Sequence, residues 1–328
     1  MRIGRWKDAA GVAEGFLHDD RAIAFLDGWT VADAVGAGLE DLRSRCDAAR
    51  SAGSGVPLRD VRLLAPLRPA TIRDFVAFEE HVEGITAGVQ GAGGVPAEWY
   101  AAPTFYFTNP HTVLADGDLL HPPVSERLDF ELEVAAVVGG DAGGASNLTP
   151  AAAAQHIFGY TIMNDWSARD LQAREMQVHL GPAKGKDFGT TLGPWIVTPD
   201  ELEGFIDEEG FLAVRAEVFV NGELVGTDLV SNMGWTFPEL LAYASRNSVV
   251  MPGDVLGSGT VGNGGCLGEL WGRNDGLTPP PLREGDEVRL VVEGLGRIGN
   301  RVGPPVSAPP VAAARPGDRR RTRGEVQG

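Results

Sequence analysis

Short apolar segments separated by turns dominate this chain, and they predict strands more often than helices. The clearest strand is Leu128–Val138, where apolar Phe130, Leu132 and Val134 alternate with acidic residues and so project from the opposite face. Gly159–Met163 is typical of a buried strand. Further strands are predicted at Ile3–Trp6, Gly15–Leu17, Ala22–Leu26, Leu212–Val220, Glu223–Asp228, Val255–Thr260, Glu287–Glu293 and Arg297–Val302.

Capping residues ahead of apolar runs mark three helices. A threonine side chain accepts a hydrogen bond from the first helical turn, and proline fits the first helical position. The predicted helices run from Thr30 to about Ala49 with a break near Gly36–Gly38, from Thr149-Pro150 to about Ile157, and from Thr236 to about Ser245. Asn221-Gly222, between two strand patterns, predicts a hairpin turn.

The chain divides where its composition changes. Residues 1–65 predict a small α+β N-terminal domain, which ends after a linker-like break at 51–55. Residues 66–305 predict a second domain, mainly β with some helix. Residues 306–328 are rich in proline and alanine and then basic. A contact with an anionic partner is one interpretation of this segment, and a disordered basic tail is the prediction.

Composition and charge exclude several classes of protein. The chain has 28 basic and 45 acidic residues, a net charge of -17. Such a surface repels phosphate backbones and anionic lipids, so neither nucleic acid nor a membrane is expected as a partner. Cys46 and Cys266 lie far apart and predict neither a disulfide nor a zinc site. No signal-peptide pattern and no apolar run near about 18 residues is readable, so the predicted location is cytoplasmic.

The acidic face of the Leu128–Val138 strand is the first candidate for chemistry. Asp129, Glu131 and Glu133 are expected to project to one side. One interpretation is an amphipathic strand with a wet acidic face. The other is a metal site, because neighbouring carboxylates repel one another and a cation relieves the repulsion. Ligands that are all oxygen favour a hard ion such as Mg²⁺, Ca²⁺ or Mn²⁺ over zinc.

Three more acidic residues stand out along the chain. Met163–Trp195 mixes charges, glycines and tryptophans, a mixture that predicts a partly dry site for an anion or a metal. Asp165 in this stretch is a candidate ligand, with a turn-capping carboxylate as the alternative. Asp74 precedes His81 by seven residues, a pattern also typical of a charged helix face. Glu269, beside a tryptophan, is expected to be partly buried, with a structural salt bridge as the alternative.

Taken together and in this order, these segments resemble the fumarylacetoacetate hydrolase family over about Asp74–Val302. The motifs that carry the resemblance are Asp-Phe-x5-His, Glu-x-Glu, Asn-Asp-x-Ser-Ala-Arg-Asp-x-Gln, Gly-Lys-x-Phe-Gly-Thr, Ser-Gly-Thr and a late Glu. The resemblance implies a mixed β-sandwich roll, usually a homodimer, that binds Mg²⁺ or Ca²⁺.

The family's functional positions fall on particular residues of this chain. The implied metal ligands are Asp74, Glu131, Glu133 and Asp165, with Thr190 as a metal-site threonine. The implied catalytic residues are His81, its carboxylate partner Glu269, and Lys186, Arg169 and Gln172. The implied substrate contacts are Tyr106 and Thr260.

The resemblance implies metal-dependent hydrolysis of a carbon–carbon bond in an acylpyruvate or another 1,3-dicarbonyl acid. His81, held in the right tautomer by Glu269, would take the proton of the attacking water. The metal would act as a Lewis acid for the enolate. Lys186, Arg169 and Gln172 would stabilise the oxyanion that forms at the attacked carbonyl.

Departures from the family's pattern change the expected substrate. Val76 stands where the founding enzyme of the family carries a tyrosine, which argues against that enzyme's own substrate. Tyr106 matches its second active-site tyrosine. The insert Gln90–Pro103 is predicted to form a lid over the pocket.

The partner of the histidine is a further departure. Gly84 occupies the position where the smaller decarboxylases and isomerases carry the glutamate that partners this residue. Glu269 therefore favours the hydrolase-type pair, with Glu80 or Glu83 as alternatives.

Two other functions use the same residues. An oxaloacetate-type 2-oxo-acid decarboxylase, or a 2-oxo-enoate hydratase or isomerase, needs the same metal-stabilised enolate. Outside enzymes, the alternative is a metal-dependent binding protein that has lost catalysis. The presence of His81, Lys186 and Glu269 argues against it, because such a protein would be free to lose one of them.

Overall fold

The computed structural model describes residues 1–53, 55–87, 94–274 and 276–315, and strands prevail over helices within them. The strands are β1 (Arg2–Asp8), β2 (Gly11–His18), β3 (Arg21–Ala24), β4 (Val56–Pro57), β5 (Arg62–Leu64), β6 (Ile72–Phe75), β7 (Phe105–Thr108), β8 (Val113–Leu114), β9 (Leu119–Leu120), β10 (Leu128–Asp129), β11 (Leu132–Val138), β12 (Ile157–Asp165), β13 (Ser167–Ala168), β14 (Thr190–Val197), β15 (Arg215–Val220), β16 (Glu223–Leu229), β17 (Val255–Gly257), β18 (Glu287–Val292) and β19 (Gly296–Val302). The helices are α1 (Val31–Val35), α2 (Leu39–Ala52), α3 (Glu79–Ile85), α4 (Pro150–Ala154), α5 (Arg169–Met176), α6 (Phe237–Ala244) and α7 (Leu267–Arg273). The predicted fold class, mainly β with some helix, is confirmed.

Most strands belong to two mixed sheets. The larger sheet has twelve strands with the main order β4-β3-β2-β1-β14-β12-β11-β17-β6-β7, and β5 and β8 pair with β1 and β14. The smaller sheet has the order β16-β15-β18-β19-β9, and β10 pairs with β13 separately. Every residue of β11 and β12 is buried, because both strands lie in the middle of the larger sheet. The carboxylates that occur at their ends are therefore held away from solvent.

The N-terminal segment joins the larger sheet through β1. Arg2 and Ile3 of β1 pair antiparallel with β14, so residues 1–65 share backbone hydrogen bonds with the central strands. Thr30 caps α1 as predicted, and its side chain and that of Asp33 form a capping box. The predicted break near Gly36–Gly38 separates α1 from α2. The division of the chain into domains stays a prediction.

Several predicted boundaries are wrong. The strand expected over Leu128–Val138 is interrupted at residues 130–131 and forms β10 and β11. The N–H of Glu131 donates to the side-chain oxygen of Asn164 in β12 instead of to a backbone carbonyl of that strand. The helix expected to reach Ile157 ends at Ala154, because Ile157 pairs with Val138 and opens β12. The hairpin at Asn221-Gly222 and the helix capped by Thr236 are confirmed.

Parts of two predictions lie outside the described residues. These are residues 90–93 of the expected lid and 316–328 of the expected tail. In the described part of the chain, no helix has the length and apolar character that crossing a membrane requires. The predicted homodimer and the predicted cytoplasmic location stay predictions.

Candidate active site

Six neighbouring strands of the larger sheet carry the candidate residues to one edge. Asp74 of β6 is opposite Gly257 of β17 on one side and Tyr106 of β7 on the other. On the far side of β11, Asp165 at the end of β12 is opposite Thr190 at the start of β14. Residues far apart in sequence thus meet because of strand order and register.

Gly257 leaves room for the carboxylates. A Cβ at this position would lie 2.7 Å from an oxygen of Glu133 and 2.8 Å from an oxygen of Asp74. Any larger residue at position 257 would therefore displace one of these side chains or occupy the space between them.

The four candidate metal ligands, named here the carboxylate cluster, are Asp74, Glu131, Glu133 and Asp165. All four side chains are buried. One oxygen from each of Asp74, Glu131 and Glu133 lies within 4.8 Å of the others. Asp165 is connected to this group through Lys186, whose Nζ lies 2.7 Å from Asp165 Oδ2 and contacts Glu131. The structure thus brings all four predicted ligands into one region.

Several oxygens of this region have no hydrogen-bond partner. Within the described residues, Asp74 Oδ1, Glu133 Oε1, Asp165 Oδ1 and Thr190 Oγ1 are buried and accept or donate no hydrogen bond. Leaving such groups unpaired typically costs about 1–3 kcal/mol each, and more when they are charged. All four atoms belong to residues that the sequence predicts at the metal. This donor set, hard oxygen throughout, fits a divalent cation such as Mg²⁺ or Mn²⁺.

Two buried cations face the carboxylate cluster. Lys186 bridges Glu131 and Asp165, and Arg169 NH2 lies 2.8 Å from Glu131 Oε1. Arg169 is shared with Asp129, which it contacts at 2.8 Å. The four carboxylates of the cluster therefore exceed the two cations by at least two negative charges. A divalent cation would balance this excess.

The pKa values of the cluster follow from this imbalance. Burial, and then repulsion by Asp165, raises the pKa of Asp74 well above its usual range. Burial, and then repulsion by Asp74, does the same to the pKa of Glu133. Burial also opposes ionisation of Glu131, but Lys186 and Arg169 outweigh it and lower the pKa of that carboxyl. Asp74 and Glu133 are thus the two carboxyls that most need a further positive charge to ionise.

His81 lies on α3, and its nearest hydrogen-bond partner is a thiol. Its Nδ1 is 3.6 Å from Cys266 Sγ, and a ring nitrogen, this sulfur and an oxygen of Glu131 lie within 4.8 Å of one another. Cys266 caps α7 by accepting the N–H of Glu269 at 3.3 Å. Burial lowers the pKa of His81 to about 3, so the imidazole is neutral at neutral pH. The ring therefore keeps a free lone pair, while its burial disfavours the imidazolium that forms when it accepts a proton.

Glu269 is not where the sequence predicts it. Its carboxylate lies 2.8 Å from Arg273 and accepts the N–H of Gly264 at 3.3 Å, and within the described residues it makes no hydrogen bond to His81. Burial raises the pKa of Glu269 to about 7. The expected His81–Glu269 hydrogen bond is thus absent, and the alternative of a structural salt bridge describes the contacts of Glu269 better.

Gly84 explains how closely α3 packs against α7. We expect Gly84→Ala to lower the free energy of unfolding by about 1–3 kcal/mol, the usual cost of overpacking. A Cβ at position 84 would lie 2.5 Å from Glu269 Cγ and 3.2 Å from its backbone. Urea denaturation measures the loss, with Gly143→Ala as the control because nothing lies within 4 Å there. Equal unfolding free energies for the two variants would contradict this packing.

Of the remaining predicted residues, some contact the site and others do not. Gln172 Oε1 accepts a hydrogen bond from Arg169 at 3.1 Å, and Tyr106 donates from its hydroxyl to Asp165. Thr260 is buried beyond β17, and the described residues show no hydrogen bond from its side chain to the carboxylate cluster. Trp99 belongs to the insert that is predicted to form a lid. Its ring N–H donates a hydrogen bond to Val76 O at 2.6 Å.

The structure gives one residue of the site other contacts than the sequence predicts, and it adds another residue. Asp129 was expected on the same face as Glu131, but it turns to Arg169 and accepts the N–H groups of Leu267 and Gly268, each at 2.8 Å. For Cys266 the sequence predicts neither a disulfide nor a zinc site, and the structure places its thiol beside His81. The place of Cys266 three residues before Glu269, at the start of a helix, is the signal that points to it.

Known proteins are similar to this chain in sequence and in fold. The fumarylacetoacetate (FAA) hydrolase C-terminal family matches residues 70–303. Fumarylacetoacetase of Arabidopsis thaliana is 32% identical over 305 residues, covering 76% of this chain and 72% of that protein. Oxaloacetate tautomerase YisK of Bacillus subtilis is 29% identical over 249 residues, covering 75% and 74%.

A solved structure shares the predicted, mainly β fold. Maleylpyruvate hydrolase of Sphingobium sp. SYK-6, in complex with manganese (II) ion and pyruvate, has a TM-score of 0.69 at 20% identity, covering 93% of this chain and 100% of that one. Its likeness shows that the fold is the same. By sequence and by fold, the chain belongs to the fumarylacetoacetate hydrolase family of enzymes, as its motifs predict.

Proposed function

We propose that this chain is a metal-dependent hydrolase that cleaves a carbon–carbon bond in an acylpyruvate or another 1,3-dicarbonyl acid. The observation that carries the proposal is the set of unpaired buried oxygens beside Lys186 and a neutral His81. Those oxygens need a cation, and the lysine and the imidazole offer a charge for an anionic substrate and a site for a proton. Relatives named fumarylacetoacetase and maleylpyruvate hydrolase support the substrate class.

The carboxylate cluster would hold the metal, with Thr190 beside it. Mg²⁺ or Mn²⁺ fits the oxygen donors, and a manganese ion in the Sphingobium relative supports this choice. When bound, the metal would supply Lewis-acid stabilisation of negative charge on the substrate. Arg169 and Lys186 fix the orientation of the Glu131 carboxylate by contacting both of its oxygens.

The reaction consumes one water and needs one base. A water adds to a carbonyl carbon, the adjacent carbon–carbon bond breaks, and its electron pair leaves with the 2-oxo-acid fragment as an enolate. His81 would take the proton of the water and return it to the carbon of that enolate, which gives two carboxylic acids. Lys186 would stabilise the oxyanion, a contribution that is typically about 10²–10³ in rate for one such donor.

Tautomerisation or decarboxylation of a 2-oxo diacid is the second candidate. The observation that favours it is the lack, among the described residues, of a carboxylate hydrogen-bonded to His81. Without one, the imidazolium that forms after water activation is less stabilised. Neither reaction activates a water: decarboxylation needs only stabilisation of the enolate charge, and tautomerisation moves one proton between carbon and oxygen. The tautomerase of Bacillus subtilis supports this reading.

A substrate panel distinguishes the two candidates. With Mg²⁺ or Mn²⁺ present, we expect acetylpyruvate to be split into acetate and pyruvate, which bleaches the enol absorbance. Release of CO₂ from oxaloacetate, or loss of its enol form without cleavage, would instead indicate the second candidate. If the protein turns over neither acetylpyruvate, oxaloacetate nor longer acylpyruvates, the result would argue against both candidate functions.

A further inference from the structure

A cleft of about 290 Å³ lies beside the first turn of α3, the helix that carries His81. Side chains from three separate segments line it: Glu79, Glu80, Trp99, Tyr100, Asn232 and Trp235. The residues of the carboxylate cluster, Arg169 and Lys186 are not among them. The cleft is therefore a different feature from the candidate metal site.

Three aromatic rings form walls of this cleft. The ring centroid of Trp99 lies 5.0 Å from that of Tyr100 and 4.8 Å from that of Trp235, with interplanar angles of 89° and 62°. Trp99 is held in place by its hydrogen bond to Val76 O at 2.6 Å. These edge-to-face contacts hold the three rings together at the cleft, and aromatic rings attract cations to their faces.

The charge of the cleft has one sign. Glu79 accepts a hydrogen bond from the Tyr100 hydroxyl. Glu80 Oε2 is shielded from solvent and has no hydrogen-bond partner among the described residues. The lining contains no lysine, arginine or histidine. Glu79 and Glu80 therefore give the cleft a negative potential, which favours a cation over a neutral or anionic ligand.

We propose that this cleft binds an organic ammonium group. An alkylammonium gains both from the carboxylates and from the ring faces. A metal ion would find few oxygen ligands on the aromatic walls and would keep its water shell. The ammonium belongs either to the substrate itself, as its end remote from the reacting carbonyls, or to a separate small molecule.

Isothermal titration with choline tests the proposal, and uncharged 3,3-dimethylbutan-1-ol is the isosteric comparison. We expect the unaltered protein to bind choline at least about tenfold more tightly than the alcohol. Glu80→Gln and Trp235→Leu should each weaken choline binding by about 3- to 30-fold. Glu223→Gln is the matched control, because it removes one charge from an exposed position in the β15–β16 hairpin and should change nothing.

Equal affinity for choline and the alcohol would overturn the proposal, and so would unchanged choline binding by folded Glu80→Gln. Displacement of choline by Mg²⁺ alone at low millimolar concentration would also overturn it, in favour of a metal site. If Trp235→Leu does not fold, Glu80→Gln decides the question. Repeating the titration with Mn²⁺ and a 2-oxo acid that carries an ammonium at its remote end separates the sources: competition with choline indicates an ammonium on the substrate, and independent binding indicates a separate ligand. None of these titrations requires turnover.

Discussion

His81→Ala is expected to lower kcat on the best substrate of the panel by about 10²–10⁴, the usual contribution of a positioned base. His81 is buried, and its ring lies close to the carboxylate cluster without being one of its oxygen donors. Burial lowers the pKa of His81 to about 3, so the neutral form that accepts a proton prevails throughout the neutral range. Steady-state kinetics with saturating Mn²⁺ measures the loss.

Metal affinity separates a lost base from a damaged site. We expect His81→Ala to bind Mn²⁺ as the unaltered protein does, because the orphaned oxygens belong to Asp74, Glu133, Asp165 and Thr190. His111→Ala is the matched control, since His111 is exposed and hydrogen-bonds through its backbone to Asn109. Retention of full activity by His81→Ala would remove the imidazole from the proton transfer.

The central strands were predictable because their patterns are local. Gly159–Met163 reads as buried and lies in β12, and the Asn221-Gly222 turn forms where turn chemistry places it. The break between β10 and β11 was not predictable in this way. It depends on the Asn164 side chain, which binds the N–H of Glu131 from another strand. Alternation along one segment contains no information about such a tertiary contact.

The candidate site shows the same division. The motifs identify the residues that form the carboxylate cluster. In the fold, oxygens of Glu131 and Glu133 lie close together, and Asp165 is opposite Thr190. The motifs gave the wrong neighbour for His81. Whether Cys266 or Glu269 reaches the imidazole depends on how α7 is rotated against α3, which Gly84 permits by its lack of a side chain. A helix–helix contact of this kind has no signature in either segment alone.

Glu133→Gln is expected to have opposite effects on the metal-free and metal-bound protein. Burial, and then repulsion by Asp74, raises the pKa of Glu133 well above its usual range, so the metal-free protein favours the protonated form of this side chain. An amide resembles the protonated carboxyl in shape and charge. The melting temperature of the metal-free variant should therefore equal or exceed that of the unaltered protein.

Metal binding should be lost in the same variant. Because the raised pKa of Glu133 favours its protonated form, and a carboxyl must release its proton to bind a cation, the metal affinity of the unaltered protein should fall as pH falls. Glu133→Gln removes this ligand, and we expect Mn²⁺ affinity to drop by at least about 100-fold, since loss of outer partners alone costs about 10–100-fold. The rise in melting temperature with Mn²⁺ should disappear, because only ligand bound to the folded state stabilises it.

The melting temperature without metal and its change with Mn²⁺ together distinguish a metal ligand from a structural carboxylate. If Glu133 served only packing, its replacement would lower the melting temperature with and without Mn²⁺ by the same amount. Glu40→Gln, an exposed glutamate at the start of α2, controls for the change in net charge. Differential scanning fluorimetry across a Mn²⁺ series, with a chelator series for the metal-free state, measures both quantities. If the variant keeps the full Mn²⁺-dependent rise in melting temperature, the cation binds without Glu133. The negative charge of Glu133 would then be balanced by a proton and not by the metal.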